Sequence, residues 1–169
     1  MNILILGANT AIARRVEQQI LHDEAFNDIK LTMFTSNKHQ VDDLLSPQSI
    51  TLEGEINDYK ALNDAVEDQD IVFDLDDKTD AHDLLEIMLI NGVNRLVTIA
   101  HATTELFVTS ELDYTVLQTG KMTRNDEIDF AFDQAGTAVS EKSVAHILAK
   151  ILDDPDYLAY KDVKVVKPK

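Results

Sequence analysis

Short apolar segments alternate with amphipathic patterns along the whole chain, and each segment predicts one element of secondary structure. Most of the short runs are continuous rather than alternating, which is typical of strands covered on both faces of a sheet. The seven predicted strands are Ile3–Leu6, Leu31–Thr35, Ile50–Leu52, Ile71–Leu75, Leu96–Ala100, Tyr114–Leu117 and Val163–Val166. Between them, apolar residues three and four positions apart predict helices. The helical stripes are Ile12, Val16 and Ile20; Leu62, Ala65 and Val66; Ala81, Leu84, Leu85, Met88 and Leu89; and Val144, Ile147, Leu148, Ile151 and Leu152.

This alternation predicts an α/β fold: a doubly wound parallel sheet of Rossmann-like type, with right-handed crossovers and helices on both faces. The 169 residues contain no internal repeat and no linker, so we predict a single domain over residues 1–169. In such sheets, ligands bind beyond the carboxyl ends of the strands, where the strand order reverses. The turns that follow the strands are therefore where a functional site is expected.

The composition of the chain limits the classes of partner that it is expected to bind. The formal net charge of −16 disfavours nucleic acid and anionic membrane surfaces, because the protein's own field repels phosphate. The segment Asn2–Leu6 lacks a basic flank and a cleavage site, so it is not expected to be a signal peptide. The chain has no cysteine, which excludes disulfides, zinc–thiolate sites and a thiol nucleophile. We therefore predict a cytoplasmic protein without a nucleic-acid or membrane partner.

The turn after the first strand, Gly7–Ala13, resembles the start of a dinucleotide-binding unit in which two of three expected glycines are missing. A pyrophosphate needs a tight turn, a close approach to the backbone and exposed amides at a helix N-terminus. Gly7 can supply the tight turn, whereas the β-branched Thr10 stands where a glycine would let phosphate approach. The candidate cofactor-binding residues of this turn are Gly7, Asn9, Thr10, Ala11 and Ile12.

Two arginines follow in the first turns of the predicted helix. Positive charge there opposes the helix dipole by roughly 0.3–1 kcal/mol, and an arriving anion would remove that conflict. Arg14 is therefore added to the candidate cofactor-binding residues. The alternative is that Arg14 and Arg15 are solvated side chains on an exposed helix face.

The loops after the second and third strands bear on which dinucleotide is bound. Binding of the ribose hydroxyls requires an acidic residue after the second strand, and the loop there contains none. Ser36, Asn37 and Lys38 could instead meet a 2′-phosphate, which favours NADP over NAD; the alternative is an ordinary polar loop. After the third strand, Glu55 and Ile56 could lie beside an adenine ring.

Acidic residues crowd the turn after the fourth strand, with Asp74, Asp76, Asp77 and Asp80 close together in sequence. One carboxylate about 4 Å from a phosphate costs roughly 1 kcal/mol in water and about 4 kcal/mol at an effective dielectric constant of 20. The spacing does not fit a calcium loop, because the turn glycine and the terminal glutamate are absent. We predict no metal site and expect Asp80, with Asp83, to cap the following helix.

Further motifs occur in a consistent order along the chain. They are Gly7-Ala8-Asn9, Gly54–Asp58 after the third strand, Gly92–Val97 before the fifth, Leu112–Gly120 along the sixth, and Ser140–Val144 before the last helix. This arrangement resembles the atypical short-chain dehydrogenase/reductase family, in its NmrA-like branch of NAD(P)-binding proteins. The part from Leu112 to Leu152 is the most specific, because LDYTVLQTG is similar to the family's LDYTILRPG. The resemblance implies an NAD(P)-binding Rossmann fold.

The resemblance also implies a catalytic Ser or Thr just past the fifth strand and a Tyr-x-x-x-Lys on the next helix. Here Ala100-His101-Ala102 follows the strand, and residues 101–113 contain neither tyrosine nor lysine. Tyr157 and Lys161 have the required spacing but lie beyond the last helix, so we interpret the match as chance. His101 is the one candidate acid or base near the fifth strand, although a lone histidine there can equally be structural.

Three hypotheses follow for function. The first is a non-catalytic protein that binds NADP(H), or only its adenosine half, and reports its presence to a partner, because the NmrA-like branch includes redox-sensing members. The second is a small NAD(P)H-dependent oxidoreductase that uses an unconventional proton donor such as His101. The third is a domain that binds no nucleotide and acts only through contacts with a protein partner or in a homodimer.

Overall fold

The structure is a computed structural model that describes residues 1–41, 46–99 and 104–169, with the side chain of residue 104 left undescribed. Within these residues the chain forms nine strands and five α-helices. The strands are β1 Asn2–Leu6, β2 Lys30–Thr35, β3 Ser49–Glu53, β4 Ile71–Asp74, β5 Arg95–Ile99, β6 Asp113–Gln118, β7 Ala131–Phe132, β8 Gly136–Thr137 and β9 Lys161–Pro168. The helices are α1 Ala11–His22, α2 Tyr59–Val66, α3 Ala81–Ile90, α4 Thr104–Val108 and α5 Glu141–Asp153.

The strands form one sheet in the order β3-β2-β1-β4-β5-β6-β9-β7, with β8 also paired to β9. Pairing is parallel from β3 to β9, which confirms the predicted doubly wound parallel sheet. The strand order reverses between β1 and β4, so the ligand-binding crevice is expected at their carboxyl ends. The two short strands β7 and β8, antiparallel to β9, are the part of the sheet that the sequence pattern did not predict.

Helices cover both faces of the sheet, as predicted. On one face, α1 and α5 pack on a cluster that includes Ile3 and Ile5 of β1. On the other face, α2, α3 and Phe107 of α4 pack on a cluster that includes Leu4 and Leu6. No helix in the described ranges is long and apolar enough to cross a membrane.

Strand β3 departs from the predicted burial. Its apolar run suggested a strand covered on both faces, but Ile50 is 57% exposed and Leu52 is 37% exposed. Among the described residues, β3 pairs with β2 alone, so it forms the edge of the sheet. At an edge, the neighbouring layers end, and an apolar run therefore does not imply burial.

Side-chain caps fix where the helices begin. The N-caps are Thr10 for α1, Asp58 for α2, Asp80 for α3 and Ser140 for α5. Asp80 accepts hydrogen bonds from the amides of His82 and Asp83, so Asp83 lies in the first turn and is not itself the cap. The Ser140–Val144 motif has a structural role. Besides capping α5, Ser140 donates to the carbonyl of Glu127 and so links the segment before β7 to the start of α5.

A buried arginine ties the amino edge of the sheet together. Arg95, the first residue of β5, is 6% exposed, and burial lowers the pKa of its guanidinium. It donates to neutral oxygens of β5, β6 and the segment between α5 and β9. These acceptors are the carbonyls of Leu96, Asp113, Pro155 and Tyr157 and the hydroxyl of Thr115.

Candidate functional site

The turn that joins β1 to α1 lies at the strand-order reversal, where Gly7 is the last residue before the chain leaves the sheet. Gly7 has a backbone φ of +78°, a conformation that residues other than glycine rarely adopt. A Cβ atom at this position would lie 2.9 Å from the backbone nitrogen of Asp76 in the turn after β4. The two turns at the reversal therefore pass each other only because residue 7 is glycine.

Thr10 has a role that the sequence argument missed. Its hydroxyl donates to the carbonyl of Gly7 over 2.8 Å and accepts from the amide of Ala13 over 3.3 Å. The side chain is thus directed at the turn's own backbone, where it caps α1. Among the bonds of the described residues, none engages the amides of Ala11 and Ile12, and helix geometry leaves such first-turn amides without intrahelical acceptors. Those two amides can bind an anion.

The two arginines of α1 both form ion pairs with carboxylates. The guanidinium of Arg14 lies 3.8 Å from the buried carboxylate of Glu17, and that of Arg15 lies 3.0 Å from Asp126. Both arginines are partly exposed, and the contribution of Arg14 to cofactor binding stays a prediction. Burial raises the pKa of Glu17, although a hydrogen bond from Ser49 and the charge of Arg14 act in the opposite direction.

The loop after β2 is brought next to the glycine turn. Asn37 caps the short helical turn Lys38–Gln40 by accepting from the amide of His39 over 3.1 Å. The side-chain amide of Asn9 donates to Gln40 over 3.3 Å, which links the β1 turn to this loop. Ser36 and Lys38 are exposed beside this link. The candidates from the first two turns therefore share one surface at the carboxyl edge.

The turn after β3 completes this side of the edge. Glu55 is exposed, while Ile56 is half-buried and packs on the apolar cluster beneath. Gly54 donates its amide to the carbonyl of Thr35 over 2.9 Å, and a Cβ atom there would lie 2.9 Å from the ring of Phe34. Gly54 thus allows this turn to pack closely on Phe34 of β2 and Ala61 of α2, a reason that its motif did not reveal.

The acidic residues of the turn after β4 form hydrogen bonds with the turn itself and with the start of α3. Asp74 is buried and accepts from the hydroxyl of Thr79 over 2.7 Å. Asp76 accepts from the amide of Lys78 over 2.9 Å, and Asp80 caps α3. Within the described ranges, no group of three or more histidine, aspartate or glutamate side chains is placed to hold a metal ion. These carboxylates shape the turn at the reversal.

Of the residues considered for catalysis, Tyr157 and Lys161 lie far from the Gly7 turn. His101 lies outside the described residues. Lys161 pairs in register with Thr115 near the start of β6, and the carbonyl of Tyr157 accepts from Arg95 at the start of β5. The Tyr157–Lys161 motif therefore lies at the amino edge, opposite the Gly7 turn. Burial also raises the pKa of the Tyr157 hydroxyl, which makes it a poorer proton donor.

Comparisons with known proteins agree with this geometry. A sequence model of the NAD(P)H-binding family matches residues 7–105, which include the β1, β2, β3 and β4 turns. A Rossmann-fold NAD(P)-binding family protein from Shigella flexneri is 28% identical, with 99% of this chain and 93% of that chain covered and a TM-score of 0.88. No curated protein sequence is significantly similar to the chain.

Two more solved structures share the fold at lower identity. A short-chain dehydrogenase/reductase from Veillonella parvula DSM 2008 in complex with NADP is 18% identical, with 99% and 94% of the two chains covered and a TM-score of 0.86. An anaerobillin reductase from Escherichia coli O157:H7 is 12% identical, with 100% of this chain and 98% of that chain covered and a TM-score of 0.79.

Proposed function

The chain belongs to the NAD(P)H-binding family, and we propose that it binds NADP(H) at the carboxyl edge of the sheet and acts as a non-catalytic redox sensor. The observation that carries this proposal is the position of the dinucleotide turn relative to the Tyr157–Lys161 pair. The Gly7 turn, its two available amides and the β2 loop share one surface. The tyrosine and lysine that could deliver a proton lie at the opposite edge.

The glycine turn supports pyrophosphate binding. The amides of Ala11 and Ile12 lie at the positive end of the α1 dipole, where an anion is stabilised. Gly7 keeps this end free of a side chain, and Asn9 borders it through its bond to Gln40. Arg14 pairs with Glu17, so its contribution to an anion would act at longer range.

The loops after β2 and β3 support the adenosine half. Ser36, Asn37 and Lys38 offer a hydroxyl, an amide and an ammonium group, which suit a 2′-phosphate better than a free ribose diol. Glu55 and Ile56 would then border the adenine, with Ile56 as its apolar contact. On this reasoning the protein prefers NADP over NAD.

The region between β5 and β6 supports the non-catalytic part of the proposal. A reductase transfers a hydride from the reduced nicotinamide and needs a proton donor near its operating pH. The helix in this connection, α4, is five residues long, and residues 101–113 contain neither tyrosine nor lysine. A sensor must also pass on its state, and we propose that a protein partner or a second copy of the chain receives it in the cytoplasm.

Titration with NADPH tests binding and turnover together. The chain has no tryptophan, so the fluorescence of the reduced nicotinamide itself is the signal. Saturable binding with a raised melting temperature, and no NADPH oxidation with a carbonyl and quinone panel, is the expected result. Steady oxidation that disappears in His101→Ala but persists in the exposed-histidine control His82→Ala would identify a reductase instead. No response at millimolar nucleotide would refute both the sensor and the reductase hypotheses.

The preference for NADP has its own test. Lys38→Ala is expected to weaken NADP(H) about tenfold and to leave NAD(H) unchanged, because it removes a cation from the 2′-phosphate alone. Lys30→Ala, an exposed lysine at the amino end of β2, is the matched control. Equal losses for both dinucleotides would show that Lys38 does not contact the 2′-phosphate.

A further inference from the structure

The last strand of the sheet extends past its neighbour at the carboxyl edge. Gln118, the final residue of β6, pairs with Lys164, whereas β9 continues to Pro168. Residues 165–168 therefore project roughly 13 Å beyond the end of β6. Strand β8 pairs with this projection, and the two together form a wall of backbone, residues 136–137 and 165–168, beside the carboxyl end of β6.

A cavity of about 270 Å³ lies against this wall. One side is the turn at residues 118–121, and the other is formed by residues 136–138 of the β8 region and residues 164–166 of β9. Gly136 is required for this shape, because a Cβ atom there would collide with the carbonyl oxygen of Lys167. The cavity is therefore formed by close backbone packing.

The charged side chains in the cavity lining are both cationic. The chain carries 31 acidic and 15 basic side chains, yet Lys121 and Lys164 are the charged residues among the described lining, which contains no carboxylate. Nearby, Asp162 accepts from the side chain of Gln118, and Asp133 accepts from the backbone amide of Lys164. In a protein whose net charge repels anions, two lysines in one cavity lining make this part of the surface locally attractive to an anion.

The rest of the lining favours an organic ligand. The exposed Ala138 adds a methyl group, and the aliphatic stems of the two lysines add methylene groups, whereas the side chains of Val165 and Val166 are nearly fully buried behind the lining. We propose that this cavity binds a small organic anion, with its carboxylate held by Lys121 and Lys164 and its carbon skeleton against Ala138 and the aliphatic stems of the lysines. An inorganic anion would leave the apolar part of the lining without a contact.

The position of the cavity relative to the cofactor gives the anion a role, and this step rests on the proposed function. With the adenosine half at β2 and β3 and the pyrophosphate at β1, the nicotinamide half extends beyond β4 and β5 towards β6. The oxidised nicotinamide ring carries a positive charge that the reduced ring lacks. A carboxylate beside it therefore binds more tightly with NADP⁺ than with NADPH, and by linkage the anion favours NADP⁺ equally.

The experiment uses the glycine amides of the full chain as reporters in ¹⁵N-resolved NMR spectra. The chain has five glycines, of which Gly120 and Gly136 belong to the cavity and Gly54 and Gly92 lie elsewhere. Succinate is the probe, with neutral succinamide and inorganic phosphate as comparisons. We expect saturable shifts at Gly120 and Gly136 with succinate, little effect of succinamide, and weaker binding of phosphate.

Variants decide whether the lysines are responsible. Lys121→Gln and Lys164→Gln are each expected to weaken succinate about tenfold, while Lys161→Gln, at the other end of β9, leaves its affinity unchanged. Unsaturable or uniformly spread shifts, phosphate binding as tight as succinate, or equal losses in all three variants would overturn the proposal. Because Gly7 and Gly54 report NADP(H) separately, failure of cofactor binding is distinguishable from failure of anion binding. Anion affinity that is equal with NADP⁺ and NADPH would refute the coupling alone.

Discussion

Replacing Arg95 with alanine tests whether one buried cation holds the amino edge of the sheet. The guanidinium donates to Pro155, Asp113 and Thr115 over 3.0, 2.8 and 2.8 Å, among other oxygens. Each hydrogen bond to a charged group is worth about 1.5–3 kcal/mol, and acceptors left unsatisfied add further cost. Burial of the guanidinium also has a cost, because the charge loses its hydration when the wild-type chain folds. Among the described residues it has no carboxylate partner at hydrogen-bond distance, so this cost offsets several kcal/mol of the stabilisation by the hydrogen bonds.

The balance is a loss of about 3–4 kcal/mol in the free energy of unfolding, near the upper end for single substitutions. For a chain of this size, that corresponds to a melting temperature lowered by roughly 6–16 °C. Arg95→Lys should lose about half as much, because it keeps the charge but loses the planar fork that reaches several acceptors. The assay is thermal and urea unfolding followed by far-ultraviolet circular dichroism.

The exposed Arg124→Ala is the matched control and is expected to change stability by less than about 0.5 kcal/mol. NADPH affinity of Arg95→Ala, measured well below its melting temperature, should match the wild type, because Arg95 lies at the edge opposite Gly7. A melting temperature within 2 °C of wild type (roughly 0.5–1 kcal/mol) would refute the assignment of Arg95 as the tie between β5, β6 and the segment before β9.

Three further predictions concern the first turn and α1. Gly7→Ala should lower stability by about 1–3 kcal/mol and abolish measurable NADPH binding, because it adds strain at positive φ and a clash with the Asp76 backbone; melting and titration both report it. Thr10→Ala should cost about 1 kcal/mol through loss of the helix cap, measured by urea unfolding, while Thr10→Ser retains most of the stability. Glu17→Gln should stabilise the protein at pH 7 but not at pH 4. Burial raises the pKa of Glu17 in the folded protein above its ordinary 4.5, so the wild-type protein loses stability as the pH rises through that raised pKa. Melting temperature against pH measures this loss.

Each of these changes has a control that isolates its cause. Gly92 also has positive φ, but no atom lies within 4 Å of an added Cβ, so Gly92→Ala reports the strain without the clash. If Gly7→Ala were no worse than Gly92→Ala, the close approach of the two turns would not matter. A stability difference between Glu17→Gln and wild type that is constant from pH 4 to pH 8 would contradict burial of a charged carboxylate at residue 17.

The sequence predicted the layers of the fold because those depend on repeated, redundant signals. Val144, Ile147, Leu148 and Ile151 all indicate the same helix face, and any one of them could change without altering the prediction. The strands β7 and β8 were missed because two residues are too few to display a period, and their pairing depends on β9, which lies far along the chain. The exposure of Ile50 was missed because a run of apolar residues does not reveal how many neighbours its strand has.

The candidate site was predictable in location and less so in detail. Gly7 was identified correctly as the tight turn, because positive φ is a local property that glycine alone satisfies easily. Thr10 was interpreted as an obstruction, since residue type does not show whether a hydroxyl faces a ligand or the adjacent backbone. Arg95 gave no signal, because a single charged residue at the start of a strand is normally solvent-exposed. Whether a polar side chain binds a ligand or stabilises the fold depends on three-dimensional contacts.

The place of β9 in the sheet has a consequence for biosynthesis. Residues 161–168 insert between β6 and β7 and are translated after the other eight strands of the described residues. Until β9 has been synthesised, β6 presents an unpaired row of backbone donors and acceptors, the kind of surface on which growing chains pair with one another. The β6 strand therefore remains an open edge until late in synthesis, and pairing of this edge with a second copy of the chain is a route to misassembly.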